Sequence, residues 1–118
     1  MNLQALFDTT ADTRTFSAGT TVFEEGSLGS VMYVVLQGNL EIRIGNDLVE
    51  AIGTGDIVGE MALIEAKPRS ASAVAVTDCL LARVDMNRFL NLTRQSPEFA
   101  LHVMGVLANR LRRMDGSL

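Results

Sequence analysis

The stretch from Gly59 to Ala75 reads GEMALIEAKPRSASAVA and decides the fold of this chain. Its first part, residues 60–66, is rich in good helix formers and predicts a short helix that follows directly on Gly59. Pro68 ends any helix, because proline lacks the backbone N–H that a helix needs. The run from Ser70 to Val76 then reads as a strand. We therefore predict a short helix, a break and a strand within seventeen residues.

The residue types in this stretch suit a phosphorylated sugar. A helix N-terminus presents unpaired N–H groups to an anion, and Gly59 lets the backbone approach such a ligand because it has no Cβ. A guanidinium such as that of Arg69 can bind a phosphate with two parallel hydrogen bonds. The carboxylate of Glu60 can accept hydrogen bonds from sugar hydroxyls. Together these groups predict a site for a phosphate and a ribose.

The stretch closely resembles the phosphate-binding cassette of the cyclic nucleotide-binding domain family. This family includes the catabolite activator proteins, the regulatory subunits of cyclic-AMP-dependent kinase and the cyclic-nucleotide-gated channels. Its pattern is Phe-Gly-Glu-x-Ala-Leu, a short spacer, then Pro-Arg-x-Ala. The chain matches this pattern at Gly59, Glu60, Ala62, Leu63, Pro68, Arg69 and Ala71. It departs at Val58, where the family has Phe; this is a packing position.

The resemblance implies cyclic AMP or cyclic GMP as the ligand, with no metal. It implies that Arg69 binds the cyclic phosphate and that Glu60 binds the ribose 2′-hydroxyl. Backbone N–H groups around Ala62 and Leu63 would complete the phosphate cradle, and Ser70 would contact phosphate or base without separating the two nucleotides. The predicted ligand-binding residues are Gly59, Glu60, Met61, Ala62, Leu63, Arg69, Ser70 and Ala71. The structural alternative is a surface ion pair between Arg69 and Glu60, which contributes little to stability.

Short apolar runs separated by glycines occupy the region before the cassette. Together with the two runs from residue 70 to residue 84, they predict strands at Thr20–Phe23, Val31–Gln37, Leu40–Ile44, Leu48–Ile52, Ser70–Val76 and Cys79–Val84. Gly38-Asn39 and Gly45-Asn46-Asp47 are turn signals between them. Many short strands with regular turns are typical of an antiparallel sandwich or roll. The predicted fold class is mainly β with α: an antiparallel β-roll of the jelly-roll type with a short phosphate-cassette helix and two C-terminal helices.

Two helices are predicted after the roll. Asp85 can cap a helix over about 86–95, and Ser96 with Pro97 starts another over about 97–114. We thus expect a single domain over 1–118, with the roll at about 14–84. The last helix carries two adjacent apolar stripes: Ala100, Met104, Leu107, Leu111 and Met114, then Phe99, Val103 and Val106. The width suggests a second surface besides the one that packs on the roll, either a homodimer seam or a lid over the ligand; core packing alone is the alternative.

Three arginines, Arg110, Arg112 and Arg113, lie near the end of this last helix. Positive side chains there interact favourably with the negative end of the helix dipole. We take this electrostatic role as the ordinary interpretation. The more specific alternative is that these arginines contact the ligand as part of a lid or bind an acidic partner.

Composition excludes several other classes of function. The chain has 118 residues, 47% hydrophobic and 20% charged, as expected for one globular domain. No apolar run approaches the ~20 residues of a membrane span. The net charge of −4 disfavours nucleic-acid binding. One cysteine, Cys79, and the lack of a signal-type N-terminus favour the cytoplasm. The single histidine, His102, disfavours a metal-binding cupin and is expected to be a packed or partly exposed residue.

The sequence therefore predicts a non-enzymatic module that binds a cyclic nucleotide and signals through movement of its C-terminal helix. No nucleophile–base pair or paired carboxylates indicate an enzyme. The alternative is a nucleotide-free interaction or dimerisation domain with the same fold. The effector would be a separate, unidentified protein or part of a longer chain, although Met1 favours a complete small protein.

Overall fold

The computed structural model describes residues 1–7 and 12–115. The helices are α1 (Leu3–Leu6), α2 (Met86–Gln95) and α3 (Pro97–Asp115). A single 3₁₀ turn, Glu60–Leu63, is called the cassette helix below. The strands are β1 (Thr13–Phe16), β2 (Thr21–Phe23), β3 (Met32–Gln37), β4 (Leu40–Ile44), β5 (Asp47–Ile52), β6 (Ile57–Val58), β7 (Ser72–Ala75) and β8 (Cys79–Val84).

The eight strands form two antiparallel four-stranded sheets. One has the order β1-β8-β3-β6 and the other the order β2-β7-β4-β5. Within the second sheet, β5 pairs with β4 on one side only, so β5 is an edge strand. The cassette helix connects β6 of the first sheet to β7 of the second. The cassette therefore lies at the passage between the sheets, close to the edge strand.

Alternation along β3 divides the core into two parts, because successive side chains of a strand point to opposite faces. Met32, Val34 and Leu36 belong to a cluster that includes Phe99 of α3, on the helix side of the sheet. Val35 belongs to a second cluster, made with residues of β4, β5 and β7 between the sheets. The helices thus pack on one face of the first sheet, and the second sheet packs on the other.

The α2 and α3 helices begin as their sequences indicate. The Asp85 side chain accepts a hydrogen bond from the backbone N–H of Arg88 at 2.8 Å, which is an N-cap contact. Pro97 occupies the first position of α3, where its missing N–H costs nothing. Phe99 is fully buried and contacts the rings of Phe7 and Phe89 edge to face. The start of α3 is thereby held in the helix-side core.

The apolar stripes of α3 have different surroundings. Phe99 and Val103 are buried, and Val106 packs on the same cluster. In the other stripe, Met104, Leu111 and Met114 are all more than half exposed. Leu107 of this stripe also packs against the helix-side cluster. This stripe therefore presents apolar surface mainly at Met104, Leu111 and Met114.

The predicted fold class is confirmed: two antiparallel sheets, a short cassette helix and two C-terminal helices. Two strands were missed. Thr13–Phe16 was not assigned because its apolar pattern is weak, and Ile57–Val58 is too short to show a period. The cassette helix is also shorter than the predicted 60–66, since its 3₁₀ assignment ends at Leu63. This tight helix type is used mainly in short pieces.

Candidate functional site

A cavity of about 450 Å³ lies beside the cassette, within the range of about 300–1,000 Å³ common for small-molecule sites. Three parts of the chain line it: the cassette, the second sheet and the end of α3. The sheet contributes Phe23, Ile42, Val49 and Glu50, and α3 contributes Arg110 and Met114. The cavity thus has polar and charged groups on a partly apolar lining.

Seven of the eight predicted ligand-binding residues line this cavity: Gly59, Glu60, Met61, Ala62, Arg69, Ser70 and Ala71. Leu63 does not, because its side chain packs against the helix-side core. The backbone N–H of Ala62 donates to the carbonyl oxygen of Gly59 at 3.1 Å, inside the cassette turn. One short turn carries little of the helix dipole. The positive charge on this side of the cavity comes from the side chains of Arg69 and Lys67, and Lys67 is already paired with Glu65 at 2.9 Å.

Arg69 is only 9% exposed, and backbone carbonyl groups hold its guanidinium in place. Nη1 donates to the oxygen of Gly59 at 3.1 Å and Nη2 to the oxygen of Val31 at 2.8 Å. Its own backbone N–H and C=O bond to Ser27 and Gly26, at 2.7 and 2.8 Å. Arg69 therefore ties the β2–β3 loop to the cassette.

Two glycines and an aromatic ring enclose the guanidinium. A Cβ at Gly29 would lie 2.6 Å from Nη2 of Arg69, and one at Gly59 would lie 2.5 Å from Nη1. Gly59 also has a φ of +77°, which favours glycine. The ring of Phe23 lies 4.2 Å from the Cζ of Arg69, at cation–π distance. The guanidinium is thus confined to one position.

Within the described part of the chain, Arg69 has no carboxylate at ion-pair distance, and its Nε has no hydrogen-bond partner. Burial lowers the pKa of Arg69, while Tyr33 and Glu60 act in the opposite direction. Since an arginine keeps its proton in proteins, a largely uncompensated positive charge is buried beside the cavity. An anion in the cavity would compensate it. The surface ion pair between Arg69 and Glu60, which was the structural alternative to a ligand site, does not form, because Glu60 pairs with Arg110.

Glu60 is instead paired with Arg110 of α3. Its Oε1 accepts from Nη1 of Arg110 at 2.8 Å, and Nη2 of Arg110 donates to the oxygen of Ile57 at 2.8 Å. The Nε of Arg110 lies 3.3 Å from Oε2 of Glu50, and Nη2 of Arg113 also pairs with Glu50. We call Glu50, Glu60, Arg110 and Arg113 the α3 ion-pair group. It closes one side of the cavity with side chains from β5, the cassette and α3.

Most of these contacts were not predicted from the sequence. For Arg110 and Arg113 the sharper interpretation, an acidic partner, is correct; Arg112 donates to Asn109 of its own helix. Arg110 follows Val103 and Val106 at helical spacing, so the face that contacts the roll was a usable signal. No sequence signal marked Glu50, Gly29 or Phe23, because their roles depend on strands that meet only in the fold.

The remaining polar candidates have simpler roles. Ser70 is exposed at the cavity lining, where a ligand could reach it. His102 is partly buried, with its Nε2 2.7 Å from the oxygen of Gly55. Cys79 is buried, and its Sγ lies 3.2 Å from the oxygen of Thr77. Among residues 1–7 and 12–115, no group of three potential metal ligands converges, and no helix has the length and hydropathy of a membrane span.

Comparisons with known proteins agree on one family. The family model described as "Cyclic nucleotide-binding domain" matches residues 13–96. The cyclic AMP receptor protein of Thermus thermophilus is 35% identical over 107 residues, which cover 86% of this chain and 50% of that protein. This chain spans about half the length of such curated relatives.

Two solved structures extend the comparison. The crystal structure of the Thermus thermophilus catabolite activator protein has a TM-score of 0.71 at 34% identity, covering 87% of this chain and 51% of that chain. A structure from work on a cyclic-GMP-dependent signalling pathway in bacterial phytopathogenesis has a TM-score of 0.72 at 28% identity. That match covers 100% of this chain and 97% of the other.

Proposed function

The chain belongs to the cyclic nucleotide-binding domain family, and on that premise we propose that it binds a cyclic nucleotide in the cavity beside the cassette. The observation that carries the proposal is the buried guanidinium of Arg69, which lines the cavity without a carboxylate partner in the described chain. A cyclic phosphate brings one negative charge to this position. The domain would act as a non-enzymatic regulatory module.

Each end of the ligand has a suitable partner in this proposal. Arg69 binds the cyclic phosphate with the donors that Gly59 and Val31 leave free, since a guanidinium has five N–H groups. Glu60 accepts from the ribose 2′-hydroxyl, and Ser70 contacts phosphate or base. The purine lies against the apolar part of the lining, which includes Ile42, Val49 and Met114.

The proposal includes both cyclic AMP and cyclic GMP. One matching relative is named a cyclic AMP receptor, and one matching structure comes from a cyclic-GMP-dependent pathway. The hydroxyl of Ser70 can interact with phosphate or with a guanine amino group. A direct comparison of the two ligands decides between them.

The experiment is a calorimetric titration of the protein with cyclic AMP and with cyclic GMP, on wild type and Arg69→Ala. We expect micromolar binding that the substitution weakens by about 2–5 kcal/mol, because a buried charge partner is lost. Arg69→Lys serves as a second variant, since it keeps the charge and loses the planar fork.

Arg43→Ala is the matched control, because Arg43 pairs with Glu41 and does not line the cavity. Circular dichroism would establish that each variant is folded. Unchanged affinity in folded Arg69→Ala contradicts the site assignment, and no heat with either nucleotide contradicts the function.

We further propose that α3 transmits the bound state to an effector protein. The end of α3 lines the cavity through Arg110 and Met114, so a ligand there contacts the helix directly. A shift in helix position requires that the ligand bind the two positions with different affinity. Hydrogen exchange of α3 with and without nucleotide would measure this shift, and identical exchange would contradict it.

The exposed side of α3 supports a second candidate function, self-association with or without nucleotide. Leu101, Met104 and Leu111 are each more than half exposed, and with Ala108 they follow the 3-4-3 spacing of a two-helix seam. Sedimentation equilibrium of wild type and Met104→Glu/Leu111→Glu tests a homodimer through this seam. Dimerisation that is lost in the variant and insensitive to nucleotide would favour the interaction-domain alternative.

A further inference from the structure

Glu50 lies on the edge strand β5 and contacts two arginines of α3. Its carboxylate is 3.3 Å from Nε of Arg110, and it pairs with Nη2 of Arg113. The Glu50 side chain is 21% exposed and the Arg110 side chain 18%, so this ion pair is partly shielded from water. Arg113 is more exposed, at 57%. Glu50 thus holds the last turns of α3 to the second sheet.

Arg110 in turn connects Glu50 to the cassette. One guanidinium lies between the carboxylates of Glu50 and Glu60 and also donates to the oxygen of Ile57. A carboxylate can accept about four hydrogen bonds. Glu60 therefore keeps acceptor capacity for a sugar hydroxyl while its Oε1 accepts from Arg110.

The two carboxylates differ in the support that they receive. Glu50 belongs to strand β5 and pairs with Ile42 of β4, next to a register shift between Ile42 and Arg43. Glu60 belongs to a single 3₁₀ turn, whose hydrogen bonds are fewer and poorer in geometry. Side chains on a paired strand are positioned more reproducibly than side chains on a loop or short turn. Glu50 is accordingly the strand-held end of the Glu50–Arg110–Glu60 connection.

We propose that Glu50 is a positioning residue of the site: through Arg110 it orients the Glu60 carboxylate toward the ligand's ribose hydroxyl, and it couples that contact to α3. This inference rests on the proposed function in one respect, the assignment of the ribose to Glu60. It adds a strand residue outside the cassette to the determinants of ribose binding. Sugar recognition and the position of α3 then depend on the same guanidinium.

A simple structural role for Glu50 would weaken all ligands equally, so the test compares two ligands. Calorimetry would measure the affinities of the preferred cyclic nucleotide and of its 2′-deoxy analogue for wild type and Glu50→Gln. The wild type should prefer the 2′-hydroxyl form by about ten- to hundredfold, as expected for a hydrogen bond to a charged group. Glu50→Gln should reduce that preference about threefold or more, by the usual size of coupling between contacting residues.

Two further variants define the limits of the effect. Glu60→Gln should reduce the preference at least as much as Glu50→Gln, since it alters the proposed acceptor itself. Glu41→Gln is the matched control. Glu41 lies on β4, the strand next to β5, where it pairs with Arg43 of the same strand, and it does not line the cavity. A preference in Glu50→Gln equal to that of wild type and Glu41→Gln overturns the proposal.

A measurement without nucleotide separates this inference from the proposed function. Amide hydrogen exchange of residues 106–115 in free Glu50→Gln should be about three- to tenfold faster than in wild type, because one attachment of α3 is lost. Unchanged exchange in this segment overturns the role of Glu50 in holding α3. If neither nucleotide binds wild type but exchange still rises, the proposed function and the ribose assignment fail while the anchoring contact stands.

Discussion

The two walls of the cavity are built in different ways. The cassette wall, residues 59–71, is a nearly continuous segment, in which Arg69 bonds to the carbonyl of Gly59, ten residues away, and is also held by the carbonyl of Val31 in the β2–β3 loop. The α3 wall consists of Arg110 and Met114. This end of α3 joins the site through ion pairs between residues that are far apart in the chain: Arg110 and Glu60 are separated by 50 positions, and Arg113 and Glu50 by 63 positions. Glycines and backbone carbonyls shape the first wall, and charged side chains hold the second.

Because the two walls are built differently, we expect one to determine the affinity for the ligand and the other to determine how α3 responds to binding. A guanidinium confined by Gly29, Gly59 and Phe23 is already positioned for an anion, so little ordering is needed when the ligand binds. The end of α3 is held by ion pairs, of which the Arg113–Glu50 pair is the more exposed and contributes little net free energy, so this end of the helix is held less firmly than its packed start. We therefore expect the cassette wall to set affinity and the α3 wall to set the response.

The largest effect in this comparison should come from the packed start of α3. Phe99→Ala removes a fully buried ring that contacts Phe7 and Phe89, and should lower the free energy of unfolding by about 3–5 kcal/mol. Urea denaturation followed by circular dichroism measures this change. A loss below about 1 kcal/mol would show that packing at Phe99 is not what attaches α3 to the roll.

A smaller effect, on nucleotide affinity, should follow from narrowing the space around the guanidinium of Arg69. Gly29→Ala places a Cβ within 3 Å of three atoms of Arg69, and the displaced guanidinium should weaken nucleotide binding by about 2 kcal/mol, as for a lost charged hydrogen bond. Calorimetry gives the affinity and urea denaturation the stability. Equal binding by the variant would mean that the guanidinium position does not matter for affinity.

Removing the charge of Arg110 from the α3 wall should lower the stability of the protein less than Phe99→Ala does. Arg110→Gln leaves Glu50 and Glu60 without their shared partner and should lower the free energy of unfolding by about 1 kcal/mol at low salt. Added salt should reduce the difference between variant and wild type, since screening already weakens the pairs in the wild type. Denaturation at two salt concentrations checks this, and a difference independent of salt would contradict the electrostatic account.

The smallest expected effect is a gain in stability from a substitution in α3. Gly105 lies in the exposed middle of α3, and a Cβ there would meet no atom within 4 Å. Gly105→Ala should therefore raise the free energy of unfolding by about 0.5–1 kcal/mol through helix propensity alone. Thermal and urea denaturation would measure it. The variant is also the matched glycine-to-alanine control for Gly29→Ala, and a loss of stability would reveal a contact of α3 not seen here.

Local patterns predicted much of the fold. The spacing of apolar residues identified β4 and β8 with the bounds that the structure shows, Leu40–Ile44 and Cys79–Val84. Strong caps located α2 and α3, since Asp85 and Pro97 mark their starts. The pattern failed for β1 and for the two-residue β6, because pairing with a neighbouring strand rather than local preference makes these strands.

The candidate site is likewise divided into features that local sequence predicts and features that depend on tertiary contacts. The chemistry of residues 59–71 is encoded locally, because a short segment carries the glycine, the carboxylate and the guanidinium that the cassette pattern requires. Of the predicted ligand-binding residues, Met61, Ser70 and Ala71 also line the cavity, whereas Leu63 packs into the core. The ligand roles of these residues stay predictions until binding is measured.

The amino-acid sequence by itself thus determined the family, the order of most elements and one wall of the cavity, because these depend on residues close together in the chain. Only the tertiary structure decided that Glu60 pairs with Arg110, that Glu50 pairs with Arg110 and Arg113, and that Arg69 lies between Gly29 and Gly59. The physical reason is that long side chains choose partners by distance in space. These distances exist only after β5, the cassette and α3 have packed on the same roll.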